Sequence, residues 1–247
     1  MPHVNLSIIV PAYKEEKTIV STLTGLNTVL STLNLDYEII CVIDGRVDKT
    51  FEMANKIKNS HLKIYSYEKN LGKGHAVKYG MERASGAIIG FVDANGINPR
   101  SIPILLQHFF WYKADIIVGS KRHPVSKVHY PWLRRVLSWG YQMLTRLFFD
   151  LEVRDTQVGA KLFRRPVVTK ILPLLLVKDW AFDIELLAVA YHKGFKNIYE
   201  SPIELESSAN EDTSAIFSKG FIRISLRMLW DTLAVFYRLK IMHYYDK

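Results

Sequence analysis

Over the first 120 residues, short apolar runs alternate with helix-like periodicity. "LSIIVP" (6–11), "YEIICVI" (37–43), "LKIYSY" (62–67), "AIIGFV" (87–92) and "DIIVG" (115–119) read as strands. Residues 15–33 place Ile19, Leu23, Leu26 and Leu30 at spacings of three and four, the period of a one-faced helix. Helices are also expected around 47–59, over 73–84 and over 99–112, the last opened by Pro99. Strands alternating with helices predict an α/β fold, a mostly parallel sheet covered on both faces. Ligands of such sheets bind in a crevice at the carboxyl ends of the strands. The loops after residues 10, 43, 67, 92 and 119 therefore hold the candidate chemistry.

The second half follows a different pattern. Residues 130–149 form a long helical stretch in which Arg134, Ser138, Gln142 and Arg146 step by four as one narrow polar stripe. Residues 217–239 repeat the style with Lys219, Arg223, Arg227 and Asp231. A wide apolar face with Arg and Trp at its margin suits a helix lying in a membrane interface. The same pattern also suits an ordinary helix packed on the sheet. Between the two stretches, "WAFDIELLAVAYHKGF" (180–195) begins a helix with Asp183 and Glu185, acids that the positive end of a helix dipole favours. "SSANEDTSAIFSKG" (207–220) reads as a polar loop. The expected organisation is a main domain over 1–206, with the 130–149 helix inside it, and a loop plus amphipathic tail over 207–247.

Composition narrows the function classes. With 247 residues, 49% of them hydrophobic, the chain has material for a large core. Cys41 is the single cysteine, which excludes a disulfide framework and suits a reducing compartment. No run reaches the ~18 uncharged apolar residues of a spanning helix, so a soluble or peripheral protein is expected. The net charge is +9. Eleven Lys or Arg against three acids between Gly119 and Lys170 give that segment +8. Such a patch wants an anionic partner: phosphates, an acidic membrane or nucleic acid. The basic residues sit among large aliphatic and aromatic side chains and no nucleic-acid motif is present, which argues against nucleic acid.

The loops supply specific candidates. "VPAYKEE" puts Pro11, Ala12 and Tyr13 at the first strand end, with Tyr13 able to stack on a base and Glu15 to bond base or ribose. A plain turn with acids starting a helix explains the same residues. In "IDGRVDKT", Asp48 suits a helix cap, while Asp44 lies deeper, where an acceptor can read a base N–H. "NLGKGHAVKYG" carries Gly72 and Gly74, which permit close backbone approach, and Lys73, a cation at a helix start that favours phosphate. The Walker A spacing is absent. In "FVDANG", Asp93 and Asn95 are two apart, and in an extended segment they would point to one side and offer hard oxygens to a divalent metal. "GSKRHP" and "RDTQVGAKLFRR" add Lys121, Arg122, Gln157 and Lys161.

Taken in order, "VPAYKEE", "IDGRVDKT", "NLGKGHAVKYGM", "FVDANG", "GSKRH", "RDTQVGAKLFRR" and "WAFDIELLAVA" resemble the inverting glycosyltransferases that load a hexose onto a polyprenyl phosphate. The likeness is greatest to dolichyl-phosphate β-glucosyltransferases, with dolichyl-phosphate mannose synthases next. It covers residues 6 to about 205. The resemblance implies a GT-A fold, a nucleotide-sugar donor (UDP-hexose preferred, GDP-hexose possible), a polyprenyl phosphate acceptor, and peripheral placement at the cytoplasmic face of a membrane. A partner membrane protein is a further possibility. By position it implies Pro11, Ala12, Tyr13, Glu15, Asp44, Gly72 and Lys73 around the nucleotide. It implies Asp93 and Asn95 on Mg2+ or Mn2+, and Arg122, Arg134, Gln157 and Lys161 near the acceptor phosphate and the leaving diphosphate.

The chemistry of this class needs no general base, because the acceptor phosphate oxygen is already ionised. His75, His108, His123, His129 and His192 are scattered, which agrees with that. What the reaction needs is positioning and neutralisation of charge on the departing diphosphate. The departure from the family pattern is Asn95, where an aspartate is usual. Weaker metal binding offset by Lys121, Arg122 and Lys127 is one expectation. A nucleotide-sugar-binding regulator without turnover is the alternative.

Overall fold

A computed structural model describes residues 5–126, 132–205 and 219–246. The 207–218 part of the expected polar loop, and Lys127 and His129, lie outside the described residues, as does the side chain of Arg134. The elements are β1 (Leu6–Ala12), α1 (Ile19–Ser31), β2 (Tyr37–Asp44), α2 (Thr50–Asn55), β3 (Leu62–Tyr67), α3 (Lys73–Met81), β4 (Ile88–Val92) and α4 (Ser101–Trp111). They continue as β5 (Ile116–Ser120), α5 (Trp132–Phe149), β6 (Ala160–Arg164), α6 (Arg165–Ile171), α7 (Phe182–His192), β7 (Ile198–Pro202) and α8 (Lys219–Phe236). The seven strands form one sheet in the order β3-β2-β1-β4-β6-β5-β7. All neighbouring pairs are parallel except those of β6, which runs antiparallel to both β4 and β5.

The expected alternation explains the first half. β1 and β2 are buried along their whole length, as strands covered on both faces must be. Ile19, Leu23, Leu26 and Leu30 are the buried positions of α1. One apolar cluster joins them to the α4 residues Ile102, Leu105 and Phe109 on one face of the sheet. A second cluster on the other face joins Ala76 and Val77 of α3 to α7, Phe149 of α5 and Val235 of α8.

Three elements, β6, α6 and β7, are absent from the sequence expectation. β6 hides because Lys161 interrupts its apolar run, yet Ala160, Lys161, Leu162 and Phe163 are all buried. β7, "IYESP", is half exposed and pairs on one side only, with β5. A sheet-edge strand needs no continuous apolar run.

The long helices form where expected, and their described residues include rows of exposed apolar side chains. In α5, Trp139, Met143 and Leu147 step by four and are exposed, whereas Gln142 of the expected polar stripe accepts a hydrogen bond from Arg122. In α8, Leu226, Trp230, Leu233 and Tyr237 are exposed in one row, with Arg223 and Arg227 also exposed. The helices touch through Tyr141–Thr232, hydroxyls 2.8 Å apart, and Phe148–Phe236, ring centroids 4.5 Å apart. No described helix is long and apolar enough to cross a membrane.

Candidate active site

Four charged side chains, three from α3, β6 and α7 and one from the loop after β4, meet at the carboxyl end of β4. Asp93 follows that strand directly, and its N–H donates to Gly159 O (2.8 Å), just before β6. Lys73, the first residue of α3, places Nζ 2.8 Å from Asp93 Oδ1 and 3.0 Å from Oδ2. The same ammonium lies 3.6 Å from Asp183 Oδ2, in the first turn of α7. Asp183 also binds Lys161 of β6, which has no solvent exposure and donates to Val158 O at 2.7 Å. The chain of charges runs Asp93–Lys73–Asp183–Lys161 and sums to zero.

The two lysines titrate in opposite senses. Burial works against the Lys73 ammonium, but the charges of Asp93 and Asp183 outweigh it and hold its pKa above the ordinary lysine value. For Lys161 burial dominates and lowers the pKa, with Asp183 opposing. Lys161 is fully buried, and its ammonium contacts Val158 O and Asp183. Asp183 links it to Lys73. The acids of α7 were legible only as dipole partners, but both are buried, Asp183 at 1% and Glu185 at 0% exposure.

The glycines have concrete neighbours. Gly72 has φ +102°, and a Cβ there would run into the Lys178 carbonyl. One at Gly74 would strike the Phe182 ring, and one at Gly159 would occupy the Asp93 carboxylate. The close approach that "GKG" permits is thus to the segment leading into α7, which leaves Lys73 facing Asp93.

Asp44 is buried and its carboxylate receives Leu71 N (2.7 Å), Gly72 N (3.0 Å) and Asn70 Nδ2 (3.0 Å). It holds the β3–α3 loop. Asp48 accepts from Thr50 N (3.0 Å) and Thr50 Oγ1 (2.6 Å), a local turn at the start of α2. Pro11 and Ala12 are buried at the end of β1 and Tyr13 is 41% exposed beyond them. Glu15 accepts from Thr18 Oγ1, while its N–H donates to Thr50 Oγ1 (2.8 Å).

On the other side of the crevice, Lys121 N donates to Asp155 Oδ2 (3.2 Å), and Glu200 Oε1 receives the N–H groups of Arg154 (2.8 Å) and Asp155 (3.0 Å). Burial raises the Asp155 pKa against the pull of Lys121, Lys161 and Arg122. Gln157 Nε2 is buried with no hydrogen-bond partner among the described residues. A buried donor left without an acceptor is costly, and it suits an oxygen-rich ligand.

The metal expectation meets a bent chain. Residues 94–96 bend instead of extending, leaving Asn95 exposed while Asp93 is half-buried. Asp93 Oδ1 faces Lys73 but accepts no well-formed hydrogen bond among the described residues. No three His, Cys, Asp or Glu side chains converge among the described residues. One carboxylate and one amide oxygen fit a divalent ion that takes its other ligands from phosphate oxygens and water.

The family model for Glycosyl transferase family 2 matches residues 7–172, which include β1 to α6 and so most of this crevice. The chain belongs to glycosyl transferase family 2. It is 34% identical to the dolichyl-phosphate beta-glucosyltransferase of Drosophila melanogaster over 76% of this chain and 63% of that protein. With a dolichyl-phosphate beta-glucosyltransferase of Trichomonas vaginalis the identity is 32% over 100% of this chain and 78% of the relative. With the Homo sapiens protein of that name it is 30%, over 76% and 64%. The chain thus spans 63–78% of the length of these relatives. Among solved structures, glucosyl-3-phosphoglycerate synthase from Mycobacterium tuberculosis, crystallised with Mn2+, UDP and phosphoglyceric acid, superposes with a TM-score of 0.69 at 20% identity. The match covers 93% of this chain and 78% of that one, and it identifies the GT-A fold of this family 2 member.

Proposed function

We propose that the protein transfers glucose from UDP-glucose to a dolichyl or other polyprenyl phosphate, with inversion, at a membrane surface. The observation that carries the reading is the Asp93–Lys73–Asp183–Lys161 array at the carboxyl end of β4, in a chain whose relatives are dolichyl-phosphate beta-glucosyltransferases. Support for a uridine donor comes from fold neighbours crystallised with UDP and with UDP-glucose.

An oxygen of the acceptor phosphate attacks the anomeric carbon from the face opposite the leaving group. The bond from that carbon to the β-phosphate oxygen breaks, UDP departs with the electron pair, and an α-linked donor gives a β-linked product. The acceptor arrives ionised, so no side chain removes a proton. Lys73 follows the phosphate-favouring Gly72 turn and offers its ammonium to the diphosphate. Asp183 holds that ammonium in place. Arg122, its guanidinium braced by Gln142, and Gln157 meet the acceptor phosphate and the sugar. Arg134 is assigned to the acceptor phosphate by its place in the family pattern. Asp93, with Asn95, would hold Mg2+ or Mn2+, which when bound adds positive charge against the diphosphate. Fold neighbours crystallised with either ion support a divalent cofactor.

The exposed apolar rows of α5 and α8 support membrane association. Trp139, Met143 and Leu147 on one helix and Leu226, Trp230, Leu233 and Tyr237 on the other face outward, flanked by Arg146, Arg223 and Arg227. Large exposed apolar rows edged by cations fit the headgroup boundary of an anionic bilayer, which supports the proposed position at the cytoplasmic leaflet. A thermal-shift panel of UDP- and GDP-sugars with and without Mn2+ tests the donor. UDP-glucose should raise the melting temperature most; no shift with any nucleotide sugar would refute the reading.

A further inference from the structure

We propose that Glu185 is a positioning residue for Lys73, acting through the backbone that precedes α7. Its carboxylate has no solvent exposure and is surrounded by donors from two distant parts of the chain. Leu176 N lies 3.1 and 3.0 Å from its two oxygens and Val177 N 2.8 Å from Oε2. Tyr245, itself fully buried, donates its hydroxyl to Oε1 at 2.6 Å, and Arg238 Nη1 stands 4.0 Å from the same oxygen. Each of these polar neighbours is a donor or a cation, which suits a carboxylate and nothing neutral of the same size.

The segment that Glu185 grips lies against the start of α3. Lys178 O accepts His75 N at 3.1 Å, satisfying one of the N–H groups that a helix start leaves open. Leu175 O accepts Lys78 Nζ at 3.0 Å. Gly72 lies so close to Lys178 O that no side chain fits between them. Residues 175–178 thus brace the turn carrying Lys73, and Glu185 fixes those residues. Asp183, two positions earlier on the same helix turn, holds the Lys73 ammonium directly. One turn of α7 therefore sets Lys73 twice, at its backbone through Glu185 and at its charge through Asp183. Through Tyr245 the same carboxylate ties this brace to the end of the chain beyond α8.

For its consequence on nucleotide binding the inference rests on the proposed donor site, so the test has two arms. Amide hydrogen exchange on the ligand-free protein compares wild type with Glu185→Gln. Exchange across 72–76 should quicken about tenfold, the loss of one well-made buried hydrogen bond, while amides of β1 and β2 keep their protection. In the second arm UDP is titrated into wild type, Glu185→Gln, Lys73→Ala and the double variant. Glu185→Gln should weaken UDP about tenfold, and in the Lys73→Ala background it should add less than about twofold, because both changes remove one interaction. Tyr245→Phe, which leaves both backbone bonds to Glu185, should show smaller changes of the same sign and stands in if Glu185→Gln does not fold. Unchanged exchange over 72–76 in these variants would overturn the proposal, as would fully additive losses of UDP affinity. If wild type binds no UDP, the donor reading fails, and the exchange arm still decides the role of Glu185.

Discussion

Lys73 Nζ sits between two carboxylates, 2.8 and 3.0 Å from the oxygens of Asp93 and 3.6 Å from Asp183. In the ligand-free protein Asp93 is therefore already neutralised by a cation of the chain itself. A divalent metal has to share that carboxylate with Lys73, and a diphosphate gives the ammonium another anion to meet. Lys73→Ala should accordingly tighten Mn2+ binding without nucleotide by about tenfold while lowering transfer by about 10²-fold. Calorimetry on the free variant and a product assay measure the two. Equal Mn2+ affinity in both proteins would show that Lys73 does not compete for Asp93. Asn95→Asp should lower the Mn2+ concentration needed for half-maximal UDP binding, and superimposable titrations would remove Asn95 from the ligand set.

Gly159 is the partner that gives the Asp93 carboxylate its room. In Gly159→Ala the new Cβ would take the space of that carboxylate and push it out of line. Transfer should fall about 10²-fold, with a melting temperature close to that of wild type because Asp93 is half-buried and can move outward. A variant with full turnover would mean that the carboxylate position is not critical.

At the opposite end of the sheet, Glu38 is buried and accepts Ser7 Oγ (2.6 Å), Ser85 N (2.7 Å), Ser85 Oγ (2.7 Å) and Lys63 Nζ (2.7 Å). Burial alone would raise its pKa, but these partners outweigh it and bring it down to about 2. A carboxyl with a depressed folded pKa adds stability above its unfolded pKa and loses it as pH falls through the folded value. The window here runs from the ordinary glutamate range down to about 2, and the contribution is about 2–3 kcal/mol. Denaturant titrations from pH 6 to 2 should show that acid-side loss in wild type. Glu38→Gln should be less stable at pH 6 and flatter across the window; parallel curves would contradict the assignment.

Trp230 and Leu226 are among the most exposed apolar side chains, at 72% and 62%. Replacing both with Glu should abolish flotation with anionic liposomes while leaving UDP binding within about twofold, since neither touches the crevice array. Undiminished flotation would move the membrane contact elsewhere.

Much of this architecture is readable in the chain because local and global signals agree there. The strands of the first half carry unbroken apolar runs, and α1 shows its buried face as Ile19, Leu23, Leu26 and Leu30. β6 was not legible, since a buried lysine looks like a loop residue until Asp183, 22 positions on, is known to lie against it. The same long-range pairing hid Asp183 and Glu185 from the candidate site. Acids in a helix's first turn have a local explanation, and only tertiary contact shows that they are buried. The signal that could have found them is that Ile184 and Leu186 to Ala190 make α7 apolar on every side, which leaves those acids no exposed face. "FVDANG" predicted an extended pair of ligands, but the Gly96 turn, φ +90°, folds the loop back so that Ile97 bridges Leu205.

Glucosyl transfer itself is measured by incubating the protein with UDP-glucose, Mn2+ and a polyprenyl phosphate in detergent or liposomes, and analysing both lipid and nucleotide. The account predicts β-linked glucosyl-phosphoryl-polyprenol and UDP in equal amounts, with Asp93→Asn reduced at least about 10²-fold. Bound UDP-glucose with no lipid-linked sugar formed, or an Asp93→Asn variant as active as wild type, would contradict it.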